Sequence, residues 1–119
     1  MIINFDRMPC VYWSTPLKIS WLQRFIIIHS IIYYEMSENI ISDKDFDSVS
    51  KQLVEMMKKA TQEEMERTEY YYLMRDFDGS TGFYLYDGLK EKDKKRLVQY
   101  ATHILRQYKG GGTNGKKKF

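Results

Sequence analysis

The sequence predicts an all-α or mostly α fold, built from a helical hairpin plus two further helices. Three observations carry that expectation. Apolar residues recur at three- and four-residue spacing over 16–37, 42–59 and 90–108, the period of one helix face. Helix-start residues stand just ahead of those runs, at Thr15-Pro16, Ser42 and Thr61. The stretches left over are short.

The first helix is expected over about 16–37, with Thr15 as N-cap and Pro16 at the first helical position. Trp21, Phe25, Ile28, Ile32 and Met36 form one face, while Ile27, Ile31 and Tyr34 lie on another. A helix apolar on two sides belongs at the centre of a core or in an interface. Ser42 with Asp45 resembles a capping box and opens a second helix to about Lys59. Its inner face is Phe46, Val49, Leu53, Met56 and Ala60. So short a connection should fold the two helices into an antiparallel hairpin. Thr61 with Glu64 is a second capping box and starts a shorter helix. Tyr70–Met74 reads as a helix end or a strand, which leaves room for a short β-hairpin around 70–86. Asp78 to Gly82 is a turn cluster, and a last amphipathic helix spans about 90–108 with Leu97, Ala101, Ile104 and Tyr108 inward.

Domain organisation follows. Residues 1–14 are an N-terminal extension, with an extended segment expected at Val11-Tyr12-Trp13. Residues 15–108 form one helical domain holding the hairpin at 16–59, and 109–119 (KGGGTNGKKKF) form a basic tail expected to be disordered.

Composition excludes several classes. At 43% hydrophobic and 29% charged, the 119-residue chain is an ordinary globular sequence. Its net charge of +3 is matched by Lys116, Lys117 and Lys118 alone, so the body is near neutral and nucleic acid is not expected as a partner. The most apolar run, residues 25–34, is about half the length that crosses a bilayer, and nothing before it resembles a signal peptide. Cys10 is the lone cysteine, which excludes an internal disulfide and suits a reducing cytoplasm. Aromatic residues reach 15%, ten of them tyrosine, a surplus that serves stacking sites or interfaces.

Residues 33–47 read Tyr-Tyr-Glu-Met-Ser-Glu-Asn-Ile-Ile-Ser-Asp-Lys-Asp-Phe-Asp. This resembles the opening signature of bacterial NAD-dependent DNA ligases: a helix ending in Tyr-Tyr or Tyr-His, a short loop, Ile-Ser-Asp or Ile-Pro-Asp, two residues, then Tyr-Asp. Tyr33, Tyr34, Ile41, Ser42, Asp43 and Asp47 agree with it without a gap, and Phe46 replaces the usual Tyr. The likeness covers about residues 20–59. It implies the nicotinamide-recognition domain that begins those enzymes, here as a free-standing, phage-borne module. By that resemblance Tyr33, Tyr34, Asp43, Phe46 and Asp47 hold the nicotinamide mononucleotide half of NAD. These side chains suit such a ligand. Aromatic faces can sandwich a flat, positively charged ring, and carboxylates can accept hydrogen bonds from a carboxamide and ribose hydroxyls. Phe46 lacks one hydroxyl and with it one polar contact.

Ligase chemistry itself is not expected. It needs a nucleophilic lysine in Lys-x-Asp-Gly, and the nearest string, Asp76-Phe77-Asp78-Gly79, puts Asp where the lysine would stand. The same string fits neither a phosphatase motif, because the threonine comes one residue late, nor a calcium loop, whose sixth position would be Thr81 instead of Gly. No metal site is expected, since His29 and His103 have no evident partners. The expectation is therefore a non-catalytic protein that binds NMN, NAD or an NAD-derived signal. The alternative is a phage-encoded anti-defence inhibitor, such as an anti-CRISPR, that contacts a host defence protein through Tyr70–Tyr72 and Phe83–Tyr86.

Overall fold

The computed structural model describes residues 1–110. Helices α1 (Thr15–Ser30), α2 (Asp43–Lys59), α3 (Gln62–Glu66), α4 (Tyr71–Met74), α5 (Leu85–Gly88) and α6 (Glu91–Gly110) follow in order, and α1 continues into a π-helical turn at Ile31–Glu35. The described residues contain no strand. The fold is mostly α, as the periodicity requires.

α1 is the central element. It packs against α2, α6, α3 and α5, and Ile19, Leu22, Ile26, Ile27 and Ile31 are fully buried along it. Each such side chain contributes about 1.5–3 kcal/mol by leaving water. The helix starts one residue earlier than the proline suggests: extended Ser14 is the N-cap, and its hydroxyl accepts the Leu17 amide at 3.4 Å. α2 lays Val49 and Leu53 into the core, and Ser42 caps it by accepting the Asp45 amide. The box at the start of α3 is complete. The Thr61 hydroxyl accepts the Glu64 amide, and the Glu64 carboxylate accepts the Thr61 amide. α6 buries Leu97 and Ala101 with Ile104 half-buried, whereas Tyr108 is exposed.

Several expectations need correction. No β-hairpin forms around 70–86; α4 and α5 stand there, separated by turns. The reason is tertiary. The amides that a strand would offer a ladder are taken by α1: Glu69 N–H donates to Ser20 Oγ at 2.9 Å, and Tyr70 N–H to Gln23 Oε1 at 3.1 Å. Cys10–Tyr12 is a 3-10 turn, not an extended piece, closed by Val11, Tyr12 and Trp13 amides onto Arg7, Pro9 and Cys10 carbonyls. The N-terminal segment is also docked rather than appended. Gln52 holds both backbone groups of Ile3, and Phe5 is buried against Trp13 and Trp21. Lys109 and Gly110, which the sequence places in the tail, belong to α6; the rest of that tail lies outside the described residues.

A polar clasp holds the 68–72 segment between α1 and α6. Arg96 reaches Glu69, the Tyr70 hydroxyl and Asp93, while Arg24 pairs with Glu69 at 2.6 Å. The Tyr72 hydroxyl donates to Asp93 at 2.6 Å and accepts the Lys90 amide; burial, then the Asp93 contact, pushes its pKa up to about 12.

Candidate functional site

The end of α1 and the start of α2 meet at the hairpin mouth. There the backbone leaves α geometry. The π turn at Ile31–Glu35 closes with the Met36 amide on the Ile31 carbonyl, Glu38 bonds back to Ile32, and Ser37 sits at φ 54°. π-helical turns inside helices occur frequently at functional sites because they re-aim side chains. Here the turn presents Tyr33 and Tyr34 outward, 48% and 38% exposed. Ser37 takes the left-handed conformation that ends the helix, a role usually filled by glycine.

A cavity of about 60 Å³ lies at this mouth, lined by Tyr33, Tyr34, Asp43 and Phe46 with His29, Ser30 and the loop residues Asn39 to Ile41. Four of the five residues singled out by sequence therefore converge. Tyr33 and Tyr34 pack edge to face at 4.8 Å. The Tyr34 hydroxyl lies 3.2 Å from Thr81 Oγ1, and its ring meets Phe83 edge-on at 5.4 Å. Phe46 also lines the cavity, half-buried, with no ring contact to Tyr33 among the described residues. Asp43 stands in the first turn of α2, where the helix dipole favours an anion. It is exposed and makes no hydrogen bond or ion pair among the described residues, so its carboxylate is free to accept from a ligand.

Asp47 is not brought to the cavity. It is exposed and pairs with Lys51 at 3.1 Å. One helical turn beyond Asp43, it lies past the reach of the mouth.

A volume of about 60 Å³ holds about two water molecules. Admitting a nicotinamide ring requires Tyr33 or Tyr34 to swing outward, and both are exposed enough to do so.

Sequence reasoning does not single out Ser30, Asn39 or Ile40 for this site, and it gives His29 no role there. His29 is legible in part, one turn before Tyr33 on the same face; the loop residues carry no signal. Gly82 backs Ser30 so closely that an added Cβ would sit 2.0 Å from its hydroxyl oxygen, so glycine is required for the Asp78–Gly82 turn to pack on α1. His29 packs at a tilt against Phe25, ring centroids 4.4 Å apart, and burial pushes its imidazole below the ordinary 6.5. The unfolded chain then takes up a proton before the folded one does. Stability contributed by neutral His29 is complete above about pH 6.5 and falls as the pH drops below it. His29→Gln is expected to flatten that part of the pH–stability curve in urea titrations; an unchanged slope between about pH 6.5 and 5 would refute the assignment.

The aromatic surface of the alternative function is only partly present. Tyr70 is fully buried, while Phe83 and Tyr84 are exposed at 68% and 45%. Among the described residues no helix is long and apolar enough to cross a membrane. Comparison with protein-family models, with curated proteins and with solved structures finds no match to this chain, so its functional reading rests on the residues of the hairpin mouth themselves.

Proposed function

We propose that this protein is a small, non-catalytic binder of a nicotinamide nucleotide, NMN or NAD or an NAD-derived signal, with its site at the mouth of the α1–α2 hairpin. One observation carries the reading: Tyr33, Tyr34, Asp43 and Phe46, spaced in sequence as in NAD-dependent DNA ligases, line a single cavity. In this reading Tyr33 or Tyr34 opens to admit the ring and Phe46 packs against its other face. Asp43 accepts the hydrogen bonds of the carboxamide or ribose. A cationic ring between aromatic walls and a carboxylate gains from both.

Titration calorimetry with NMN tests it. Binding at micromolar to millimolar levels is expected. Asp43→Asn should weaken it by about 1.5–3 kcal/mol, the worth of a hydrogen bond to a charged acceptor. Asp47→Asn, outside the cavity, should leave affinity unchanged. No heat at millimolar NMN would sink the proposal, and a loss at Asp47 equal to that at Asp43 would misplace the site.

A second reading draws on Phe83 and Tyr84. Two exposed aromatic rings, of which Phe83 meets Tyr34 edge-on, are the kind of residue that anchors a protein interface. In that reading the protein is an anti-defence inhibitor acting on a host protein, and the hairpin is its scaffold. It is the reading that survives if nicotinamide nucleotides do not bind.

A further inference from the structure

A concavity richer in aromatic rings than in polar groups, and larger than the hairpin mouth, lies between α1 and α6. Its volume is about 360 Å³, within the range of about 300–1,000 Å³ typical of small-molecule sites. Trp21 and Phe25 stack along one wall at 5.6 Å, and Phe25 continues onto His29. α6 brings Tyr100, His103 and Ile104 to the other wall. Tyr100 is 44% exposed, and neither histidine makes a hydrogen bond or ion pair among the described residues. Arg24 lies at the rim, its Nη2 on Glu69 and its Nε without a partner. No carboxylate lines the groove. Flat rings, two imidazoles and a guanidinium that Glu69 holds from outside, with no carboxylate in the lining itself, suit a planar base that carries a phosphate.

The groove and the mouth share one residue. His29 lines both, so the two cavities adjoin at its imidazole. Tyr33 at the mouth and Phe25 in the groove are eight residues apart along α1 and its π turn, about 12 Å along the axis. That separation suits the two ends of an extended dinucleotide better than a single mononucleotide.

We propose that the α1–α6 groove binds the purine end of a dinucleotide whose nicotinamide end is held at the hairpin mouth. His29 is the shared wall, and the linking phosphates lie towards His29 and His103. This rests on the nicotinamide reading for the mouth, but the groove makes its own demand: a purine ring stacks on Phe25 and Tyr100.

Calorimetry with NAD, NMN and AMP, on the native protein and on Tyr100→Ala, separates the two. Tyr100 lies outside the core, so its truncation should not unfold the chain. NAD is expected to bind more tightly than NMN, and AMP to bind on its own and compete with NAD but not with NMN. Tyr100→Ala should weaken NAD and AMP by about tenfold, the loss of one base–aromatic stack, and leave NMN unchanged. NAD no tighter than NMN, with no AMP binding, overturns the groove proposal. AMP binding that Tyr100→Ala leaves intact overturns it too. Silence with NMN alongside AMP binding that Tyr100→Ala abolishes overturns the mouth reading alone and supports the groove as a purine-nucleotide site.

Discussion

Gln23→Ala is expected to destabilise the protein by about 3–4 kcal/mol, a large part of the roughly 5–15 kcal/mol that holds a domain of this size together. Gln23 is a fully buried polar side chain in the middle of α1. Its Oε1 accepts the Tyr70 amide at 3.1 Å and its Nε2 donates to Thr68 at 3.2 Å. Removing it orphans the buried Tyr70 N–H, which costs about 1–3 kcal/mol. It also opens a cavity in a core that relaxes only in part, and deleted methylenes add to the loss. Thr68 suffers less, because its hydroxyl still donates to the Met65 carbonyl at 2.7 Å. Gln23→Leu separates the two contributions, since it fills the space without restoring the acceptor. It should cost only the orphaned amide. Urea unfolding followed by circular dichroism reads both variants. A loss below about 1 kcal/mol in Gln23→Ala would mean that α1 does not pin the 68–70 segment.

Arg96→Met is the second large effect, expected at about 2–3 kcal/mol. The guanidinium gathers Glu69, the Tyr70 hydroxyl and Asp93 at 2.8–3.2 Å. Methionine keeps most of the apolar stem, so the change isolates the charge and its hydrogen bonds. Asp93 is the partner that suffers most, being only 7% accessible. Stranding a buried charge costs about 3–5 kcal/mol in the full case. Here the cost is smaller, because Asp93 keeps the Tyr72 hydroxyl and Arg96 is itself 41% exposed. Adding Asp93→Asn to Arg96→Met removes the stranded charge and should recover part of the loss. If the double variant is as unstable as the sum of the two singles, the pair is not coupled, and the clasp is not what holds α6 to the 69–72 segment.

The two effects bear on the site as well as on stability. Both residues fix the segment that follows α3, and Glu69 in that segment holds Arg24 at the rim of the α1–α6 groove. The hairpin mouth, by contrast, is built from α1, its π turn, the 39–41 loop and α2, with Gly82 and Thr81 backing it from the turn before α5. Ligand effects at the mouth and at the groove are therefore separable by mutation.

Elements whose signals are local can be read directly from the amino-acid order. The three-and-four spacing of α1, α2 and α6 and the Ser42 and Thr61 caps specify where helices form, because a helix satisfies its own backbone and its caps act within one turn. The hairpin and the convergence of Tyr33, Tyr34, Asp43 and Phe46 follow from the same local logic: a short loop leaves the end of one helix beside the start of the next. Tertiary structure alone decided the rest. Tyr70–Met74 has no period that separates a strand from a helix; in the fold Gln23, about fifty residues earlier, takes the Tyr70 amide, and the Leu73 and Met74 amides turn back to the Tyr70 carbonyl to form α4. The 3-10 turn at Cys10–Tyr12 sits where Phe5 packs between Trp13 and Trp21. Asp47 has the spacing of a site residue yet turns to Lys51, because a helix places side chains in three dimensions and its next turn points past the mouth. His29 reads as an isolated histidine in the sequence; only the approach of α6 gives it a second face and makes it the wall between two cavities. Contacts made within a turn of helix are written in adjacent residues, while contacts made across the chain depend on which surfaces the packed helices bring together.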